Sequence, residues 1–316
     1  KKEKEIKQKY LKYLSEKRRE LEMEREQQKV ILIENLISLE DCLTILQNKS
    51  LQFWDKRIDQ SDFLVVRLGV GRELLDVKIN YPEEGFTIEE SELKFEADRL
   101  VTEFQYIDNV PLGYSLFTNK ITALMGLQKQ VVLFTHNLLL QLLTFYSYED
   151  LKIVLFTSEE RTNYWEFLKY LPHTFTNERD FRFFSNQSMS CKEICDYLNL
   201  VINVRVEQSN NKKENFKPHY LIIIDGFDAI YQNDVIKNLT EIGFSLLILE
   251  NVMSKLPSKC NNFISLDGAN SKVLKNAYDE QTQLFFKEEI HEHINMLQIA
   301  KNIINRQKLY RSKSTP

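Results

Sequence analysis

The segment Asn119-Lys-Ile-Thr-Ala-Leu-Met-Gly126 reads as a strand entering a turn ahead of a long helix, the position at which a nucleotide-binding chain carries the phosphate loop G-x-x-x-x-G-K-[ST]. Counted from Gly126, that pattern requires Gly, Lys and Ser or Thr where Val131, Val132 and Leu133 stand. A phosphate cradle needs backbone N–H groups exposed by glycine and a lysine that reaches the β- and γ-phosphates. Three bulky apolar residues fill that space and offer no charge. Lys129 is the one lysine close behind Gly126, but its spacing is wrong, and a lysine in the first turn of a helix opposes the macrodipole, so weak anion contact is the most it supplies. Further on, Leu221-Ile-Ile-Ile-Asp225-Gly-Phe-Asp228 has the form of an apolar strand ending in an acid, where the acid holds Mg²⁺ through water and a following Glu positions the attacking water. Gly226 occupies the place of that Glu. Asp225 and Asp228 then read as caps of a turn and a helix, each worth about 1 kcal/mol. Gly126, Lys129 and Asp225 are the vestigial pocket positions, with no catalytic residue, metal or cofactor expected.

Other chemistry-bearing residues lead back to structure. His173, just past the helix stop at Pro172, has the side chain of a general base, yet no Ser, Cys or carboxylate stands near it in a nucleophile arrangement. Trp165, Pro172 and His173 instead shape an outer surface or pack a helix end. Cys191 and Cys195 share a helix face without the second ligand pair that zinc requires, and His291 and His293 diverge on a helix. The G-x-G of Gly69-Val-Gly71 lacks a following helix and predicts a turn with positive φ between two strands.

The elements that must position these residues follow from composition and period. The chain has 316 residues, 43% of them hydrophobic, with 8 Gly and 6 Pro, which suits a folded protein with short loops. Its first residue is Lys, as in a piece cut from a longer protein. No stretch approaches the roughly 18 to 20 apolar residues of a membrane span, and Val131 to Phe145 is broken by His136, Asn137 and Gln141. Four Cys without disulfide spacing fit a reducing compartment. Net charge is −4, but residues 1–29 carry 11 Lys/Arg against 7 Glu, which leaves the rest at −8. Such a basic end suits anionic headgroups or a merely solvated helix face. The acidic remainder, with no basic stripe interleaved with aromatics, argues against a nucleic-acid partner.

From Lys1 to about Leu46 there is no Gly or Pro, and Ile6, Tyr10, Tyr13, Leu14, Lys17 and Leu21 fall near a helical stripe too thin for a coiled coil. This predicts a long helical stalk with breaks near Asn35–Asp41 or Asn48–Ser50. Trp54, Arg57 and Arg67 are the candidates for tying it to the following domain. Phe63–Leu68 and Leu74–Ile79 read as paired strands. From Asn119 onward strands at Lys120–Met125, Leu151–Phe156, Phe181–Phe184, Tyr220–Ile224, Ser245–Leu249 and Phe263–Leu266 alternate with helices at about Lys129–Phe145, Arg161–Tyr170, Cys191–Glu207 and Val235–Glu241. Short, continuously apolar strands in such alternation predict a parallel sheet covered on both faces by helices, an α/β fold. A helix at about Ile290–Ile304 closes the chain.

Four ordered segments carry a resemblance: Phe53-Trp-Asp-Lys-Arg57, Asp62-Phe-Leu-Val-Val-Arg-Leu-Gly-Val-Gly71, Ser147-Tyr-Glu-Asp-Leu151 and Trp165-Glu-Phe-Leu-Lys-Tyr-Leu-Pro-His173. Together they resemble the juxtamembrane region of the EssC/EccC family, the membrane-anchored FtsK/SpoIIIE-like ATPases of bacterial type VII secretion systems, in its firmicute branch. The resemblance implies a Rossmann-like, P-loop-NTPase-type fold that has lost its nucleotide site. It implies a stalk over residues 1–50, a degenerate ATPase-like domain over 51–310 and a polar tail over 311–316. It further implies a place at the cytoplasmic face of the bacterial membrane, adjacent to it through absent spans. The implied partners are other membrane components of the secretion machine, a neighbouring ATPase module of the same chain and, indirectly, the secreted proteins. The expected function is non-hydrolytic coupling of the membrane complex to downstream ATPase modules, and the alternative is a nucleotide sensor that binds ATP through Lys129 and Asp225 without hydrolysing it.

Overall fold

A computed structural model describes residues 2–48, 50–77, 90–209, 216–238, 242–275 and 283–314. In chain order the elements are α1 (Lys2–Asn35), α2 (Leu39–Gln47), β1 (Val65–Leu74), α3 (Glu90–Glu103), β2 (Tyr106–Ser115), β3 (Ile121–Met125), α4 (Gln128–Phe145), β4 (Leu151–Thr157), β5 (Phe184–Ser185), α5 (Ser188–Ser209), β6 (His219–Asp225), α6 (Asp234–Asn238), β7 (Phe244–Leu249), β8 (Asn262–Ser265), β9 (Ser271–Lys275), β10 (Leu284–Glu288) and α7 (Met296–Ser314). The chain divides into two compact units, one of residues 1–37 with 69–112 and one of 38–68 with 113–316. One of the divisions falls between Ile37 and Ser38. A capping box stands there: the Ser38 hydroxyl accepts from the Asp41 N–H at 3.1 Å while the Asp41 carboxylate takes the Ser38 N–H, which starts α2 afresh, and α2 packs on α4.

In the first unit α1 is a helix with a partner. Leu21 is buried with Leu75, Leu100, Phe104, Ile107 and Val110, with Leu14 and Leu32 packed against them, whereas Tyr13 of the expected stripe faces solvent. Leu14, Leu21 and Leu32 share one face of a 3.6-residue helix, which is why this stripe buries. The Arg25 guanidinium lies 4.7 Å over the Phe104 ring, and Arg18 grips both oxygens of Glu103 at 2.6 and 2.7 Å. Strand β1 runs unbroken through Gly69-Val-Gly71 to Leu74, so the hairpin expected there is corrected: absence of side chains permits a turn but does not force one. Residues 78 and 79 of the expected return strand lie outside the described residues.

The second unit is a sheet in the order β10-β9-β8-β3-β7-β6-β4-β5. From β8 to β5 every pairing is parallel, and β9 and β10 extend it antiparallel, so the sheet is mixed. All residues of β4, β6 and β7 are buried, as their unbroken apolar runs demand of strands covered on both faces. One face carries a core of Val154, Phe156, Ile194, Leu198, Ile222 and Ile224. Helix α4 is buried along most of its length from Val131 to Thr144. The helix expected at about Arg161–Tyr170 is instead a long 3₁₀ stretch, Glu159–Tyr170, and α7 continues to Ser314 through part of the expected polar tail.

Candidate functional site

The parallel strands β3, β7, β6 and β4 point their carboxyl ends one way, the edge at which open α/β sheets bind ligands. At that edge Thr157 pairs with Asp225, and the Ser158 N–H donates to the Asp225 carbonyl at 3.2 Å. This register places the 3₁₀ stretch that follows β4 directly over the end of β6. Arg161 then donates through Nη1 to Asp225 Oδ1 at 2.6 Å, and Trp165 Nε1 donates to Oδ2 at 2.8 Å. Gln128 Nε2 approaches Oδ1 at 3.4 Å. Asp225 and Trp165 are fully buried and the Arg161 side chain is one-third exposed. A carboxylate expelled from water must be paired, and this chain supplies the counter-charge from its own arginine.

Arg161 also accounts for Gly226. Its φ is +69°, a conformation that favours glycine, and a Cβ there would stand 2.7 Å from Arg161 Nη1, so a larger side chain would have to displace the guanidinium from above it. The residue that stands where a water-positioning Glu was sought and the arginine over it are complementary in shape.

The phosphate side of the edge is equally committed. Strand β3 ends at Met125 and α4 begins at Gln128, so only Gly126 and Leu127 connect them. Two residues do not make a loop that encircles a phosphate. The Gly126 N–H donates to Asn251 Oδ1 at 2.8 Å, and Asn251 Nδ2 returns a bond to the Gly126 carbonyl at 2.8 Å, joining this turn to the end of β7. The cavity that remains is about 60 Å³, lined by Leu124, Gly126, Gln128, Val131, Arg161, Leu249, Glu250 and Asn251. Lys129 is exposed on the first turn of α4.

Of the vestigial positions, the structure thus brings Gly126 and Asp225 to one edge. Asp225 is not a side-chain cap, because both its oxygens are taken by Arg161 and Trp165, and Asp228 instead pairs with Lys255 at 2.7 Å. The outer-surface reading of Trp165, Pro172 and His173 is corrected: all three are buried. His173 Nε2 donates to the Tyr146 carbonyl at 2.9 Å, and burial pushes its pKa down to about 3. Trp54 packs edge-on against it, with ring centroids 5.9 Å apart, so residues read as two separate groups form one aromatic cluster with Tyr148. Trp54 sits at φ +60° and is held there by its N–H to Thr144 at 2.9 Å and its Nε1 to Leu143 at 3.1 Å. Arg67 pairs with Glu289 and exchanges two backbone bonds with the Gln141 amide at 2.8 and 2.9 Å. Arg57 is exposed. Cys191 and Cys195 are buried on α5, and no group of three His, Cys, Asp or Glu that could hold a metal occurs among the described residues. Sequence reasoning missed Arg161, Gln128 and Asn251, which lie far from their partners in sequence; Gly226 was the one local sign that something else fills the space.

No family model matches the chain. It is 24% identical over 305 residues to the type VII secretion system protein EssC of Staphylococcus aureus, covering 94% of this chain and 21% of that protein. It is 25% identical over 260 residues to the ESX secretion system protein YukB of Bacillus subtilis, covering 81% and 17%. The chain thus spans about a fifth of the length of these relatives. The solved structure of EssC ATPases 2 and 3 from Geobacillus thermodenitrificans superposes with a TM-score of 0.52 at 11% identity, over 84% of this chain and 53% of that one. The α/β fold is that of EssC-type ATPase domains, and the resemblance carried by the four sequence segments extends over nearly the whole chain.

Proposed function

We propose that this chain is a non-hydrolytic structural and regulatory domain of a type VII protein-secretion motor. It stands at the cytoplasmic face of a bacterial membrane and couples the membrane complex to ATPase modules elsewhere in the polypeptide. Its partners in this reading are other membrane components of the machine and the neighbouring ATPase module, with secreted proteins engaged indirectly. The observation that carries it is the closure of Asp225 by Arg161 and Trp165. An acid that orients metal-bound water needs a free oxygen at the strand end, and here both oxygens are spent on the chain's own side chains. The two-residue turn at Gly126 supports the same reading, because Gly126 and Leu127 are too short a connection to wrap a triphosphate in backbone N–H groups.

Calorimetric titration with Mg-ATP to millimolar concentration tests it, on the native chain and on Asp225→Asn. The expected result is no saturable heat with either. Saturable binding that disappears in Asp225→Asn would replace the coupling role with nucleotide sensing.

A further inference from the structure

Helix α5 carries two thiols that the closed strand end does not use. Cys191 stands in its first turn and Cys195 one turn on. Residues four apart share a helix face, here the face turned to the sheet, where both belong to the core with Ile194 and Leu198. They differ in reach, since Cys191 keeps 8% of its surface and Cys195 only 2%. A hydrogen bond between the two thiols holds Cys191 below the ordinary cysteine value and, with burial, pushes Cys195 up. Cys260 is a comparison within the same chain. It is as exposed as Cys191, but its thiol donates to the Asn262 carbonyl at 3.8 Å instead of to a second sulfur, and burial pushes it up to about 11.

Side chains four apart on a helix hold their Cβ atoms about 5–6 Å apart, whereas a disulfide brings them to roughly 3.5–4.5 Å. Joining the two sulfurs therefore takes a shift of about 1–2 Å. The first turn of α5 is the part placed to make it. Small side chains fasten that turn: Ser190 Oγ donates to the Gln187 carbonyl at 3.1 Å and lies 2.8 Å from Ser185 Oγ, and the Cys191 N–H donates to the Gln187 carbonyl at 3.0 Å. Ser185 belongs to β5, a two-residue strand at the edge of the sheet. An edge strand this short and a turn at a helix end yield more readily than the buried strands beside them.

We propose that Cys191 is a peroxide-reactive thiol with Cys195 as its resolving partner, and that their disulfide forms by displacing the first turn of α5. The Cys191 thiolate attacks one oxygen of hydrogen peroxide, the O–O bond breaks, and the departing hydroxide takes a proton to become water. The Cys195 sulfur then attacks the sulfenic sulfur of Cys191, the S–O bond breaks, and the hydroxide leaves as water with the Cys195 proton. Two thiols give up two electrons and the peroxide becomes two waters. A disulfide that displaces the packing around it is readily reduced again by a small thiol such as glutathione, as suits a transient, sensing bond in a reducing compartment. Neither thiol has a part in the coupling role proposed above, so the two readings stand or fall separately.

The test is mass spectrometry of the reduced 316-residue chain held with hydrogen peroxide at neutral pH, sampled over time, with free thiols then blocked by N-ethylmaleimide in denaturant. Lys192 lies between the two cysteines, so trypsin leaves their disulfide as a linked pair of peptides. That pair is expected to form within one chain at least about tenfold faster than Cys260 is oxidised, and dithiothreitol is expected to restore both thiols. In Cys195→Ser the Cys191 sulfenic acid is expected to persist and to be captured by dimedone, and in Cys191→Ser the Cys195 thiol is expected to stay reduced. Hydrogen exchange at residues 184–191 is expected to rise on oxidation while that of β4 and β6 is unchanged. Cys191 oxidised no faster than Cys260, a disulfide between two chains in place of the linked pair, or a linked pair without faster exchange at residues 184–191 would each overturn the proposal. The native chain alone decides these three outcomes, whatever the folding of the variants.

Discussion

At the scale of single residues, the cost of burying Asp225 is met by a partner that is itself partly in solvent. Removing that partner leaves an uncompensated buried carboxylate, which in other proteins costs about 3 to 5 kcal/mol; with Arg161 one-third exposed, about 2 to 3 kcal/mol is expected here. Arg161→Ala should therefore lower the unfolding free energy from urea titration by that amount, and adding Asp225→Asn should recover much of the loss, because the amide keeps an acceptor for Trp165 without a charge. An unchanged midpoint would mean that water replaces the guanidinium freely. Two buried histidines set a pH dependence. Burial holds both His173 and His219 down to about 3, against about 6.5 in the unfolded chain. The unfolded state then takes up protons first as pH falls, so stability is complete above about pH 6.5 and declines from there toward pH 3. Between pH 7 and pH 5 each histidine is expected to remove on the order of 2 kcal/mol, measured by urea unfolding. His173→Gln should flatten the slope.

At the scale of elements, two local joints can be tested. The capping box at Ser38 separates α1 from α2, and Ser38→Ala is expected to cost about 1 kcal/mol. Trp54 fastens residues 50–57 to the end of α4 through two hydrogen bonds and the edge contact with His173. Trp54→Ala opens a large cavity and removes the Nε1 bond to Leu143, which together predict a loss of about 3 to 4 kcal/mol. Limited proteolysis should then cut within residues 40–60 at a rate well above that of the native chain. A variant that loses stability without gaining cleavage there would confine Trp54 to general packing.

For the molecule as a whole, the two units predict an order of local stability. Strands β4, β6 and β7 lie wholly within the core of the second unit, and their amides are expected to exchange with solvent last. The amides of residues 4–13 in α1, with almost every side chain exposed, are expected to exchange first among the helices. Hydrogen exchange read by mass spectrometry checks this order. At the same scale, no helix among the described residues is long and apolar enough to cross a membrane.

Much of the second unit was legible in one dimension. Runs such as Leu221-Ile-Ile-Ile224 and Leu246-Leu-Ile-Leu249 have no alternation because both faces of their strands are covered, and that fact alone names a parallel layer. The loss of the phosphate loop was equally readable, since Val131, Val132 and Leu133 lack the charge and freedom that phosphate requires whatever surrounds them. Strands β9 and β10 were missed because short, charged segments such as Ser271–Lys275 become strands only when an edge is there to pair with. The pairing of Arg161 and Trp165 with Asp225, of Asn251 with Gly126 and of Trp54 with His173 was decided by tertiary structure. Residue type sets what a side chain can bind; the sheet register, which is a property of distant segments meeting, sets what it does bind.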